Sequence, residues 1–148
     1  MRKNNGIFTG SPIRRKILNG NKSIITQQHK ITNNLPNVLI VGGSQGAQRI
    51  NEAVIDLITS NRNKDYQIIW ATGPKQYDTI KDELKQNNLD IENIENAKIL
   101  PYIYNMEEIM NVASVIVARS GAMTITEISN LGKPSILIPL PNVSGNHQ

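Results

Sequence analysis

At 148 residues, 39% of them hydrophobic, the chain holds material for one globular domain with a real core but not for two. It has no cysteine and only two histidines, His29 and His147, which excludes a disulfide framework, thiolate chemistry and a histidine-rich metal site. The formal net charge of +4 is unevenly placed: residues 1–37 carry seven Lys/Arg and no acid, whereas the rest carries nine basic and twelve acidic groups. That basic segment reads as a solvated leader ahead of a core at 38–148. Its charge would also suit an anionic lipid surface. Nucleic acid is not expected, because the basic residues are dispersed and lack aromatic stacking partners. No apolar run approaches the roughly 20 residues of a membrane span, and residues 1–5 lead into no signal-peptide core, as expected of a cytoplasmic chain.

In chain order, Gly6-Ile-Phe-Thr9 reads as a short strand stopped by Gly10-Ser-Pro12, and Pro12 suits the start of one or two helical turns over 13–18. Arg14, just after that turn, either meets a phosphate or is an ordinary surface charge. Residues 21–37 read as a loop. Val38–Val41 is the clearest strand, followed by the bend Gly42-Gly-Ser-Gln-Gly-Ala47 and a helix to about Ser60, with Ile50, Ala53, Val54, Leu57 and Ile58 at the 3.6-residue period. Tyr66–Thr72 is a second strand and Tyr77–Asn87 an amphipathic helix, with Ile80 and Leu84 inward and Asn87-Asn88 as its stop. Ala97–Leu100 is a third strand. Met106–Ala113 is a short helix whose methionines read as core filler.

Val115–Ala118 is an apolar run suited to a buried parallel strand. Gly121 and Ala122 allow close approach of a ligand to the backbone, and Gly121 is free to take positive φ. The helix that opens there, to about Asn130, presents unpaired amide N–H groups and a dipole that favour an anion, a diphosphate above all. Glu127, placed near the start of that helix, either accepts two ribose hydroxyls or complements the helix dipole. Leu131-Gly-Lys-Pro134 stops the helix, and Ser135–Ile138 is the last strand.

Strand and helix alternate throughout, which gives an α/β fold with a doubly wound parallel sheet. In such sheets ligands bind outside the carboxyl ends of the strands, so the loops leaving at Gly42, Tyr102, Arg119 and Pro139 converge on one crevice. The first bend is not a dinucleotide fingerprint. Val41 stands where its first glycine is required, and the second strand ends at Ala71-Thr-Gly73 without an acid. It also lacks the Gly-Lys-Ser/Thr ending of a P-loop.

Five segments, Gly10-Ser-Pro-Ile-Arg14, Gly42–Ala47, Tyr102-Ile-Tyr-Asn-Met106, Arg119-Ser-Gly-Ala-Met-Thr-Ile-Thr-Glu127 and Gly145-Asn-His-Gln148, occur in the order and spacing of the MurG family. The chain thus resembles the peptidoglycan N-acetylglucosaminyltransferases that convert lipid I to lipid II. The resemblance covers nearly the whole chain, but only the donor-binding, Rossmann-like C-terminal half of the family's two-domain GT-B fold (the glycosyltransferase family 28 C-terminal domain). It implies that Arg14 and Ser44 meet the diphosphate and that backbone at Ile103 reads the uracil of UDP-N-acetylglucosamine. It further implies that Ala122, Met123 and Thr124 donate to the phosphates, with Ile125 and Thr126 in the same contact stretch. Glu127 would hold the ribose, and Gln148 would reach the sugar hydroxyls. Gly42, Gly43, Gly46 and Gly121 would shape the phosphate loops. No metal or cofactor is implied. Departure of UDP with inversion would be assisted by helix N-termini and Arg14.

Two departures from the family pattern matter. Ser11 stands where the family usually has Asn. The lipid I-binding N-terminal domain, which carries the family's candidate base, is missing, and the sequence stops before a further sugar-contacting Asn and the closing helices. The resemblance therefore implies a single, incomplete UDP-sugar-binding domain, truncated at its C-terminus, from an enzyme that is peripheral on the inner face of the cell membrane. A non-catalytic donor-binding subunit of a split glycosyltransferase, or an inactive fragment, is the alternative. No residue of the chain is a convincing general base, and His147 reads as a flexible end residue. A nicotinamide-dependent oxidoreductase is disfavoured by the absent fingerprint.

Overall fold

The computed structural model describes residues 9, 10, 12–14, 17, 31, 34–43 and 47–140. The strands expected at 6–9 and the helical turns expected at 13–18 fall mostly outside these residues. So do Ser44, Gly46, His147 and Gln148.

Five strands form one all-parallel sheet: β1 (Asn37–Val41), β2 (Gln67–Ala71), β3 (Ala97–Leu100), β4 (Val115–Arg119) and β5 (Ser135–Ile138). Their spatial order is β3-β2-β1-β4-β5. The connecting helices are α1 (Gln48–Thr59), α2 (Tyr77–Gln86), α3 (Met106–Val112) and α4 (Ala122–Leu131). The order reverses direction between β1 and β4, so the crevice at the carboxyl ends of these two strands is the topological switch point.

The sheet separates two cores because successive strand residues point to opposite faces. Leu39, Ile69, Ile116 and Ala118 join Ile109 and Met110 of α3 and Ile128 of α4 on one face. Ile40, Ile68 and Trp70 join Ile50, Val54 and Ile58 of α1 and Ile80 and Leu84 of α2 on the other. The doubly wound architecture is therefore observed, and every strand and helix expected from Val38 onward is present within a residue or two of its expected limits.

Helix ends explain why those limits were readable. Three of the four helices close with a residue in the left-handed region: Asn61 (φ 51°), Asn88 (φ 59°) and Gly132 (φ 60°). Each is followed by a backbone N–H that reaches back five residues: Arg62 to Leu57, Leu89 to Leu84 and Lys133 to Ile128. This is the Schellman arrangement, for which Gly and Asn are the residues with the least steric cost.

Two local expectations are corrected. The buried face of α1 is Ile50, Asn51, Val54, Ile55 and Ile58, while Ala53 is exposed and Leu57 only half-buried. The stripe is rotated because Asn51 is drawn inward. Its Oδ1 accepts from Trp70 Nε1 (3.0 Å) and its Nδ2 donates to the Thr72 carbonyl (2.9 Å), with Gln76 Oε1 as a further close partner. Trp70 is fully buried, so its indole N–H requires such an acceptor. Second, Gly121 does not take positive φ. It is extended (φ −68°, ψ 139°) as the N-cap of α4, and the left-handed turn residue is Gly43 of the other bend (φ 89°).

β5 is the exposed edge. All of its residues but Ile138 are exposed, Ile136 to 57%.

Candidate functional site: the crevice at the switch point

The crevice lies at the carboxyl ends of β1, β2 and β4. Val41, Gly43, Ala71 and Gly73 form its floor with Ala118 and Arg119, and Tyr102, Ile103 and Met106 form one wall. Arg14, Thr124 and Glu127 complete the lining. Of the residues named from sequence, the fold thus brings Arg14, Gly43, Ile103, Thr124 and Glu127 around one opening. Gly42, Gly121, Ala122, Met123, Ile125 and Thr126 stand beside it on the β1 and β4 connections.

β4 delivers its chain directly into α4 through two residues. Ser120 is buried and Gly121 caps the helix. The first backbone bond of α4 runs from the Ile125 N–H to the Gly121 carbonyl (3.0 Å). The N–H groups of Ala122, Met123 and Thr124 therefore have no partner within the helix and point out of its N-terminus. Ala122 and Met123 are exposed. Three convergent donors at the positive end of a ten-residue helix suit an anionic group. The Thr126 hydroxyl is turned away and donates to the Ala122 carbonyl (2.8 Å).

Glu127 lies in the second turn of α4, not the first, so it does not serve as a first-turn partner of the dipole. Its side chain is 8% exposed. Both carboxylate oxygens are engaged by one guanidinium: Arg14 Nε donates to Oε1 (2.7 Å) and Nη2 to Oε2 (3.0 Å). Arg14 Nη1 also lies 3.5 Å from Oε2 of Glu107, in the first turn of α3. The hydrogen bond with Glu127 is the main cause that raises the Arg14 pKa above its ordinary value, against the opposing effect of partial burial. The guanidinium is therefore a permanent cation at the mouth of the crevice.

Ile103 is buried with its side chain in the core, so what it can offer a ligand is its backbone at the crevice wall. Tyr102 and Tyr104 pack edge-to-face outside it, with ring centroids 5.0 Å apart. Met106 and Met110 both pack in the core and line the crevice.

Three side chains in or near the crevice have partners that sequence reasoning did not give. Glu107 reads as a first-turn acid of α3. Arg119 lines the crevice and fixes the exit of β5, since its Nη1 donates to the carbonyls of Pro139 (3.0 Å) and Ile138 (3.4 Å). Asn51, beneath the bend that follows β1, reads as an interruption of an apolar stripe. Among the described residues no group of three or more His, Cys, Asp or Glu could hold a metal ion.

Residues 37–148 match the family model described as the glycosyltransferase family 28 C-terminal domain. The chain is 42% identical over 147 residues to the UDP-N-acetylglucosamine–N-acetylmuramyl-(pentapeptide) pyrophosphoryl-undecaprenol N-acetylglucosamine transferase of Desulforamulus reducens, covering 99% of this chain and 40% of that protein. It is 40% identical over 146 residues to the protein of the same name from Halalkalibacterium halodurans, covering 99% of this chain and 39% of that one. The chain thus spans about 40% of the length of these relatives. Among solved structures it is similar to Acinetobacter baumannii MurG, with a TM-score of 0.63 and 26% identity over 82% of this chain and 33% of that one. The UDP-GlcNAc 2-epimerase of Neisseria meningitidis, solved with UDP-GlcNAc bound, shares the fold at a TM-score of 0.57 and 19% identity, over 78% of this chain and 30% of that one. The ordered motifs, the all-parallel sheet and these matches agree: the chain belongs to glycosyltransferase family 28, as a C-terminal domain of the MurG kind.

Proposed function

We propose that the crevice at the switch point binds UDP-N-acetylglucosamine, and that the chain is the donor-binding part of an inverting transferase that converts lipid I to lipid II. The observation that carries this reading is the β4–α4 unit. It sets a buried carboxylate, Glu127, about one turn beyond three unpaired helix N–H groups. That pairing suits a nucleoside diphosphate, with ribose hydroxyls donating to the carboxylate and phosphate oxygens accepting from the helix.

In this reading the backbone at Ile103 meets the uracil, and Ala122, Met123 and Thr124 meet the diphosphate with Arg14. Ile125 and Thr126 lie behind them. Ser44, Gly46 and Gln148 complete the phosphate and sugar contacts. The chemical contribution is to leaving-group departure. As the bond between the anomeric carbon and the diphosphate oxygen breaks, negative charge grows on the diphosphate, and preoriented N–H dipoles and a guanidinium stabilise it more than they stabilise the ground state. The acceptor hydroxyl of lipid I would be presented by the remainder of the enzyme. Because that acceptor is lipid-linked, the site of action is the inner face of the cell membrane, and the basic segment 1–37 supports contact with an anionic surface.

Calorimetric titration of the folded chain with UDP, UDP-N-acetylglucosamine and NAD tests the assignment. UDP and its sugar should bind in preference to NAD. A preference for NAD would overturn it.

A further inference from the structure

The carboxylate assigned to the ribose is already occupied. Both oxygens of Glu127 accept from Arg14, and with that side chain only 8% exposed, the crevice side where the guanidinium sits is its open approach. Arg14 is different: its side chain is 47% exposed. It can leave Glu127 with little change in its own solvation, whereas Glu127 left without a donor would be a buried, unpaired charge. The pair can therefore open only if other donors replace the guanidinium at the same oxygens. A vicinal diol is one such pair of donors. Glu107, on a helix of its own, is 3.5 Å from the third guanidinium nitrogen and 17% exposed, and so offers Arg14 a second anchor independent of Glu127.

We propose that Arg14 is a ligand-responsive latch held between two carboxylates: it closes Glu127 in the free protein, yields that carboxylate to the ribose of an incoming nucleoside diphosphate, and is kept by Glu107 at the crevice to meet the diphosphate. This rests on the assignment of Glu127 to ribose made above. Glu107 is then a positioning residue acting through Arg14. The latch discriminates among ligands by what they carry. A nucleoside without phosphate must displace Arg14 and offers nothing in return. A nucleoside diphosphate displaces Arg14 and gives it a new anionic partner, so opening is recovered in binding. The free site thus selects against nucleosides.

The latch makes two ligands respond in opposite directions to one substitution. Arg14→Ala leaves Glu127 open, so uridine should bind about 3- to 10-fold more tightly, the factor by which a closed latch reduces apparent affinity. The same change should weaken UDP about tenfold or more, because a charge-assisted contact to the diphosphate is lost. Affinities are read by NMR titration at pH 8 with uridine, 2′,3′-dideoxyuridine and UDP, on the unaltered chain and on Arg14→Ala, Arg14→Gln and Glu107→Gln. Thermal unfolding of each variant confirms that it is folded. Dideoxyuridine, with no diol, should not gain from either Arg14 substitution. Glu107→Gln should weaken UDP several-fold more than it weakens uridine. Crossed effects of Arg14→Ala and Arg14→Gln on uridine and UDP support the latch. If uridine is unchanged or weakened by both while the unaltered chain binds UDP, the latch is overturned and the donor assignment stands. If the unaltered chain binds no UDP, the donor assignment fails and the latch falls with it.

Discussion

The two strand–turn–helix units on either side of the switch point, β1–α1 and β4–α4, share one local grammar: an apolar strand, a small-residue bend, then a helix. They use it differently. α1 turns five residues into the core and anchors the centre of the sheet through Asn51 and Trp70. α4 buries only Glu127 and Ile128, leaving Met123 and Ile125 exposed at 46% and 37%. Each helix also buries one polar side chain. That of Asn51 is satisfied by partners fixed in the same core, the Trp70 indole and the Thr72 carbonyl. That of Glu127 is satisfied by a half-exposed arginine 113 residues away in sequence. A buried polar group with rigid internal partners belongs to the scaffold, and one whose partner can leave belongs to a site. By this criterion the helix of the first unit is scaffold and that of the second belongs to the proposed ligand site, to which the first unit contributes only its bend, with Gly43 at the crevice.

Trp70→Ala should cost about 3–5 kcal/mol of unfolding free energy in a urea titration, the range for large-to-small changes at fully buried aromatic positions. A smaller loss would mean that the α1 face is not the packed half of the molecule. Asn51→Ala should cost less, about 1–3 kcal/mol, because it leaves the buried Trp70 N–H without an acceptor. It should leave the ratio of UDP to 2′,3′-dideoxy-UDP affinity unchanged. A change in that ratio would show that the β1–α1 unit contributes to ribose recognition and would dissolve the distinction between the units.

Most of the β and α elements were legible because their signals are local. Val38–Val41 and Val115–Ala118 are apolar runs of strand length, and Asn61, Asn88 and Gly132 mark helix ends by a backbone requirement that few residue types meet. The convergence of the bends on one crevice followed from parallel topology. What stayed illegible depends on partners distant in sequence. Asn51 looks like a flaw in an amphipathic stripe until Trp70 is placed over it. Glu107 looks like a helix-dipole acid until Arg14 is placed beside it. The freedom of Gly121 to take positive φ is not used, because the β4–α4 turn is so short that its glycine is the extended N-cap, and the left-handed step occurs at Gly43 of the longer bend. Glu127 was recognised as a ligand candidate, yet nothing in the sequence around it indicates that both of its oxygens are engaged in the free protein.

The proposed site rests on recognition of a ribose, within a nucleoside diphosphate, by Glu127. Calorimetry of Glu127→Ala against UDP and 2′,3′-dideoxy-UDP tests it most directly. A charge-assisted hydrogen bond is worth about 1.5–3 kcal/mol, so the substitution should weaken UDP relative to the dideoxy ligand by about that amount, and the dideoxy ligand, which has no such bond to lose and meets an Arg14 already released, should bind no more weakly than before. Equal losses for the two ligands would contradict the claim and reduce Glu127 to a structural partner of Arg14.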